Sequence, residues 1–237
     1  RDRGAAKVAS GLRYGDDPRQ TMDVYAPAGA SGLPMLVFFY GGGWDSGSKD
    51  VYGWAAQALA ARGFVVFVPD YRVVPQVRFP SFIEDAAAAT ARAGELAATY
   101  GGDAGRLGVL GHSAGAHLAM MIALDRRYMA AVDRPDLIRA AAGLAGPYDF
   151  LPLDDPRSIA AFGEFPRLAE TQPISFASAG APRVFLATGD EDETVRPRNS
   201  VSLAQKLRAA GAAVELRTYP GLGHAGIHRV DDHQLAV

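Results

Sequence analysis

The feature that most constrains the fold of this chain is a set of short, unbroken apolar runs. Met35–Tyr40 reads Met-Leu-Val-Phe-Phe-Tyr with no charged or small polar residue. A half-exposed strand alternates apolar and polar residues, whereas an unbroken run suits a strand buried on both faces, as in a parallel sheet. Gly63–Val68, Leu107–Leu110 and Val184–Thr188 repeat the pattern, Val214–Tyr219 follows it with Glu215 and Arg217 interrupting, and Ala140–Leu144 is a weaker sixth run. Helical segments lie between them. Tyr52–Ala61 stops at Arg62-Gly63, where a glycine suits a helix terminus. A second helix runs from Ser81 to about Tyr100, and Ser81-Phe82-Ile83-Glu84 reads as a capping box at its start. Ala114–Leu124 and Val201–Ala210 are further helices. Strands alternating with helices predict an α/β fold with a mostly parallel central sheet and helices on both faces. Val8–Tyr14 and Thr21–Tyr25, joined by the turn residues Gly15-Asp16-Asp17-Pro18, predict an antiparallel N-terminal hairpin at one edge.

A length of 237 residues fits a single domain over residues 1–237. One stretch departs from the rhythm. Phe150–Ala179 carries Pro152, Pro156, Pro166 and Pro173 with only short helical pieces such as Ser158–Phe162. It is expected to form a cap-like insertion over the sheet, residues 150–179, with a long surface connection as the alternative. The net charge of -2 gives no basic field for nucleic acid. The absence of cysteine removes disulfides, zinc–thiolate sites and cysteine nucleophiles, and the five histidines form no metal-type cluster. No apolar stretch reaches the roughly 18–20 residues of a membrane span. A soluble protein is expected, cytoplasmic or exported after loss of a signal, with its compartment and oligomeric state unset. The chain starts at Arg1 rather than Met and stops soon after His224, so trimming at the N-terminus and a missing terminal helix are expectations.

The chemistry concentrates at Leu107-Gly108-Val109-Leu110-Gly111-His112-Ser113-Ala114-Gly115, a strand, then G-x-S-x-G, then a helix. That context is what a nucleophile elbow requires, with Ser113 held on a sharp turn and its hydroxyl exposed at the sheet edge. The helix beginning beneath it favours developing negative charge. Tyr40-Gly41-Gly42-Gly43-Trp44 follows the first apolar run, and its glycines leave backbone N–H groups to face an oxyanion. The Ala114 N–H, next after the nucleophile, is a further donor. The loop lacks G-x-x-x-x-G-K-[ST], so it is not a P-loop. An elbow serine needs an acid and then a histidine later in the chain. Gly189-Asp190-Glu191-Asp192-Glu193 follows one strand, with Asp192 the first choice for the acid and Asp190 the second; Pro220-Gly221-Leu222-Gly223-His224 follows the last strand and supplies the base. His228 and His233 read as surface residues, His112 as pointing away from the site, and His117 as a packing or helix-face residue.

Together these residues resemble the α/β-hydrolase superfamily. They are similar in particular to its carboxylesterase branch of hormone-sensitive-lipase-like and feruloyl-esterase-like bacterial enzymes. The resemblance covers most of the chain. It is carried by Gln20–Pro27, by Pro69-Asp70-Tyr71-Arg72 followed by Phe79-Pro80, and by Gly111–His117, Gly189–Val195 and Gly223-His224. It implies Ser113 as nucleophile, Asp192 as acid within a G-x-x-D…V pattern, His224 as base, and Gly42, Gly43 and Ala114 as oxyanion-hole donors. It also implies that Trp44 lines the acyl or alcohol pocket, with packing over the loop as the alternative reading, and that Asp149 is structural. Tyr40 stands where such enzymes usually carry a histidine that holds the donor loop by hydrogen bonds. The implied activity is carboxylic ester hydrolysis on small or short-chain esters, with no cofactor and no metal. Amide, formamide, peptide or thioester hydrolysis by the same triad is the alternative. For a thioester of a large anionic carrier, Arg72, Arg78 and Arg196 are candidates for a basic entrance. Phe162, Phe165 and Leu168 form either an apolar wall of the pocket or a small core of their own.

Overall fold

The computed structural model describes residues 3–229. Eight strands form one sheet: β1 (Ala6–Arg13), β2 (Thr21–Ala26), β3 (Leu33–Phe39), β4 (Val65–Pro69), β5 (Gly102–His112), β6 (Ile138–Leu144), β7 (Arg183–Gly189) and β8 (Val214–Tyr219). Their spatial order is β1-β2-β4-β3-β5-β6-β7-β8. β1 pairs antiparallel with β2 and β2 antiparallel with β4, and every later pairing is parallel. The expected parallel sheet with an antiparallel leading hairpin is therefore present. The unbroken apolar runs are the central strands: all of β4 is buried, as are Met35, Val37, Phe38 and Phe39 of β3. β1, mostly exposed, closes the edge.

The helices are α1 (Gly53–Ala61), α2 (Ser81–Leu96), α3 (Ala114–Leu124), α4 (Arg126–Ala131), α5 (Pro156–Phe162) and α6 (Arg198–Ala209). The step from β3 to β4 runs one way along the sheet, and every later parallel crossover runs the other way. Right-handed crossovers then put α1 on one face and α2, α3 and α6 on the other. All eleven residues of α3 are buried, since it lies against the sheet with α2 and other elements packed over it. The direction of winding reverses between β3 and β5, which are neighbours. Ligand crevices in open α/β sheets form at such a switch point, outside the carboxyl ends of the strands. The glycine loop after β3 and the elbow after β5 both sit there.

Two local expectations are corrected. Ser81 is not the N-cap: the cap lies one residue earlier, at Pro80, with no side-chain cap bond, and the N–H groups of Ile83 and Glu84 bond to the Pro80 carbonyl. A serine at the first helical position is not the residue that precedes the helix, which is the one whose side chain can cap it. β5 also starts well before its apolar run: Gly102 pairs with Leu33 at the start of β3, and the register then shifts before Leu107 meets Met35. The stretch expected as an insertion holds α5 and two 3₁₀ turns, Leu168–Thr171 and Pro173–Phe176. It is tied down by polar contacts as well as apolar ones: the Phe150 N–H donates to Gln172 Oε1 (2.7 Å) and the Ile174 N–H to the Tyr148 carbonyl (3.1 Å). No helix among the described residues is long and apolar enough to cross a membrane.

Candidate active site

Ser113 terminates β5 and begins α3 with φ 54° and ψ −123°. A non-glycine residue rarely adopts this region, so the turn stores strain that the surrounding packing must hold. The Ser113 N–H donates to the Leu144 carbonyl on β6 (2.9 Å), which anchors the turn to the neighbouring strand. The flanking glycines are required by space: a Cβ on Gly111 would overlap the Gly115 carbonyl, and one on Gly115 would overlap the Phe39 carbonyl on β3. The strand and helix therefore cross with backbone against backbone, and the hydroxyl is left at the tip.

The structure brings Ser113, Asp192 and His224 together. His224 Nε2 lies 2.9 Å from Ser113 Oγ, and His224 Nδ1 lies 2.8 Å from Asp192 Oδ2. Asp192 is buried, and its other oxygen accepts the N–H groups of Thr194 (3.0 Å) and Val195 (2.8 Å). These two bonds fix the carboxylate in its loop and turn the remaining oxygen toward the imidazole. Asp190 is placed differently: its carboxylate accepts the Gly221 N–H (2.7 Å), tying the acid loop to the loop that carries His224. His112 is closer to the site than expected. Its ring centroid lies 5.0 Å from that of His224, with Nε2 3.4 Å from the His224 carbonyl oxygen, so it packs beneath the base. His228 falls in the 3₁₀ turn Gly226–Arg229, and His233 lies outside the described residues.

The glycine loop is adjacent, since a Cβ on Gly41 would lie 3.1 Å from the Ser113 Cβ. Burial raises the pKa of the Tyr52 phenol, and the Gly41 N–H bonded to it opposes that rise. Among the described residues, no hydrogen bond engages the N–H of Gly42 or Gly43. Tyr40 supports the loop from below. It is fully buried, stacks on Tyr71 at 4.9 Å, donates its hydroxyl to Asp70 Oδ1 (2.7 Å) and accepts from the Arg19 guanidinium (3.0 Å). The Tyr71 hydroxyl donates to the Tyr40 carbonyl (2.7 Å), and the Lys49 ammonium pairs with Asp70 Oδ2 (3.2 Å). Burial and the adjacent Asp70 carboxylate push the Tyr40 phenol far up, so it stays a protonated donor. A phenol thus provides the loop's hydrogen-bonded anchor where a histidine was expected.

Trp44 closes the loop with φ 63° and is 6% exposed. Its indole stacks on Phe150 (5.8 Å) and meets Phe162 edge-on (4.8 Å). The indole N–H donates to His117 Nδ1 (3.3 Å), and His117 Nε2 bonds to the Thr171 carbonyl (2.8 Å). These partners assign the tautomer: Nε2 carries the proton and Nδ1 accepts. Burial pulls the His117 pKa down to about 4, so the ring is neutral. Phe162 joins the main core against Phe79 and Phe82, Phe165 packs edge-on to Phe79 (4.8 Å), and Leu168 is half-buried. Asp149 is held through its backbone, its N–H donating to Asn199 Oδ1 (2.9 Å).

Sequence reasoning missed Arg157, which grips the glycine loop from α5. Its Nη2 donates to the Gly42 carbonyl (2.5 Å) and its Nε to Asp45 Oδ2 (3.0 Å). The pair is 112 residues apart in sequence, and no local pattern marks it.

Comparison with known proteins gives the chain's family. Residues 22–207 match the BD-FAE family. The protein named "Probable isoprenylcysteine alpha-carbonyl methylesterase ICMEL1" of Oryza sativa subsp. japonica is 31% identical over 96% of this chain and 59% of its own length. "Esterase LipC" of Mycobacterium tuberculosis is 32% identical over 89% of this chain and 58% of its own length. The chain therefore spans less than two thirds of these curated relatives. Among solved structures, esterase 2 of Thermogutta terrifontis phosphonylated by sarin superposes with a TM-score of 0.83 at 25% identity, covering 96% of this chain and 89% of that one. With a family match across most of its length and an α/β-hydrolase sheet carrying the elbow at its switch point, the chain belongs to the BD-FAE family of α/β-hydrolases.

Proposed function

We propose that this protein is a serine hydrolase that cleaves small or short-chain carboxylic esters through an acyl-enzyme. The observation that carries the reading is the unbroken hydrogen-bond chain from Ser113 Oγ through His224 to the buried Asp192, joining three loops at the carboxyl edge of the sheet. The Asp192 carboxylate accepts from His224 Nδ1–H, which leaves Nε2 as the lone-pair nitrogen facing the serine hydroxyl. Ser113 Oγ attacks the ester carbonyl as its proton passes to Nε2. The carbonyl oxygen becomes an oxyanion facing the N–H groups of Gly42, Gly43 and Ala114, and Asp192 stabilises the imidazolium. The imidazolium protonates the departing alcohol. A water then gives its proton to His224, attacks the acyl-serine and releases the acid with the serine restored.

The neighbouring packing favours an ester over a thioester with a large anionic carrier. Arg72 is forked onto the buried Asp85 (Nη2 to Oδ1, 2.7 Å) and Arg78 faces Glu164 (3.6 Å), so two of the arginines proposed for a basic entrance are already paired. Trp44 is 6% exposed and packed on Phe150, Phe162 and His117, which favours packing at the glycine loop over a place on the wall of the acyl or alcohol pocket. The experiment is steady-state hydrolysis of a short-chain aryl ester series by the wild-type protein and by Ser113→Ala. Turnover that falls to background in the variant supports the reading, and turnover at the wild-type rate refutes it.

A further inference from the structure

We infer that Arg157 is a positioning residue for the oxyanion hole, acting through the Gly42–Gly43 peptide; this rests on the hydrolase reading above. In a trans peptide the carbonyl of one residue and the N–H of the next point in opposite directions. Whatever holds the Gly42 carbonyl therefore aims the Gly43 N–H. That carbonyl is heavily engaged: it accepts from Asp45 N–H (3.2 Å), Ser46 N–H (3.1 Å), the Ser46 hydroxyl (2.9 Å) and Arg157 Nη2 (2.5 Å). The first three donors come from the loop itself. Among the described residues, Arg157 is the donor that reaches this carbonyl from elsewhere in the fold, so it ties the direction of this peptide to α5.

The guanidinium is placed for this. Its Nε and Nη2 form a fork on the Asp45 carboxylate, and Nη2 also reaches the Ser46 hydroxyl (3.2 Å). It lies against Gly43, where a Cβ would collide with it. Gly42 and Gly43, at φ 142° and 57°, lie where glycine has wide conformational freedom, so an external restraint adds to the hold of the loop's own donors on the peptide between them. The platform that presents Arg157 is rigid. Asp155 caps the start of α5 by accepting the Arg157 and Ser158 N–H groups. At the other end the Ala161 carbonyl accepts the Phe79 N–H (3.0 Å), and Phe162 is locked in the aromatic core against Trp44. A carbonyl bonded to a cation also polarises its own peptide, which strengthens the Gly43 N–H as a donor.

The arrangement is ill-suited to a purely structural role. The Arg157 and Asp45 side chains are 50% and 36% exposed, and an ion pair in such a setting contributes little to folding. Its removal is expected to act on the transition state. Deleting one oxyanion donor costs about 10²–10³ in rate, and misaiming one costs part of that.

The test compares wild type, Arg157→Ala, Arg157→Lys and Asp45→Asn. The readouts are kcat and KM on an aryl acetate, inhibition by phenylboronic acid (whose tetrahedral serine adduct carries an anionic oxygen), and Tm. The expected result for Arg157→Ala is a kcat about tenfold down, KM nearly unchanged, boronate inhibition weakened by a similar factor and Tm within a few degrees. Lysine cannot reproduce the fork, so Arg157→Lys falls between the two. Asp45→Asn follows Arg157→Ala in direction. An unchanged kcat in Arg157→Ala, a rise in KM alone, or a loss of activity that tracks a loss of Tm would each overturn the inference. A wild-type protein with no ester hydrolysis would instead remove the functional reading beneath it, which separates the two failures.

Discussion

Acidification should expose the buried His117 in a way that one substitution can isolate. The ring sits one helical turn past Ser113 with no solvent exposure, donating to Thr171 and accepting from Trp44. Burial lowers its pKa from 6.5 to about 4. The unfolded chain takes up the proton near pH 6.5, whereas the folded chain resists it until near pH 4. Unfolding is therefore favoured by proton binding across that window: the stability associated with a neutral His117 is complete above about pH 6.5 and is lost as pH falls toward about 4. The drop corresponds to about 3 kcal/mol in full, of which about 2.5 kcal/mol is lost between about pH 7.5 and 4.5. The assay is urea unfolding at those two pH values for wild type and His117→Gln. Glutamine retains a donor for Thr171 and does not titrate. Carboxylates that weaken the fold in acid act on both proteins, so the difference of differences isolates His117. The wild type should lose about 2–3 kcal/mol more than the variant. Equal losses in the two proteins would refute the argument.

Other substitutions probe the remaining parts. Asp192→Asn should reduce kcat by on the order of 10³–10⁴-fold without unfolding the chain, while Asp190→Asn, whose carboxylate bonds Gly221, should leave kcat close to wild type; kinetics on an aryl ester compares them. Tyr40→Phe leaves the partly buried Asp70 short of a donor and should destabilise by about 1–3 kcal/mol in urea unfolding. Gly115→Ala drives a methyl into the Phe39 carbonyl and should cost about 3 kcal/mol or more, or prevent folding, read by circular dichroism and expression yield.

The parts of this molecule that were legible in its sequence are the ones written over a few adjacent residues. Leu107–Gly115 spells strand, turn and helix consecutively, so the place of Ser113 followed from local chemistry alone. The loop carrying Asp192 was legible because it follows an apolar run that suits a buried strand; the loop carrying His224 follows Val214–Tyr219, whose Glu215 and Arg217 belong to a partly exposed edge strand, and there the turn residues Pro220-Gly221 marked the strand's end. The choice between Asp190 and Asp192 was harder, since it depends on which carboxylate faces the imidazole across 32 residues of intervening chain. The Ser81 capping box shows the limit of a local pattern. Its residue types fit, but the N-cap is Pro80, one residue earlier, and the motif falls out of register. The anchoring of the glycine loop was beyond reach for a different reason. Tyr40, Asp70, Arg19 and Arg157 come from separate elements, and side chains that meet only through tertiary packing leave no spacing to read.

The central claim is that Ser113 is the nucleophile, and covalent labelling tests it most directly. Intact and peptide mass spectrometry after treatment with a fluorophosphonate should show one adduct, located on Ser113, formed by the wild type and slowed sharply in His224→Ala. Labelling at another residue, or none in a folded wild-type protein that still hydrolyses esters, would contradict the account.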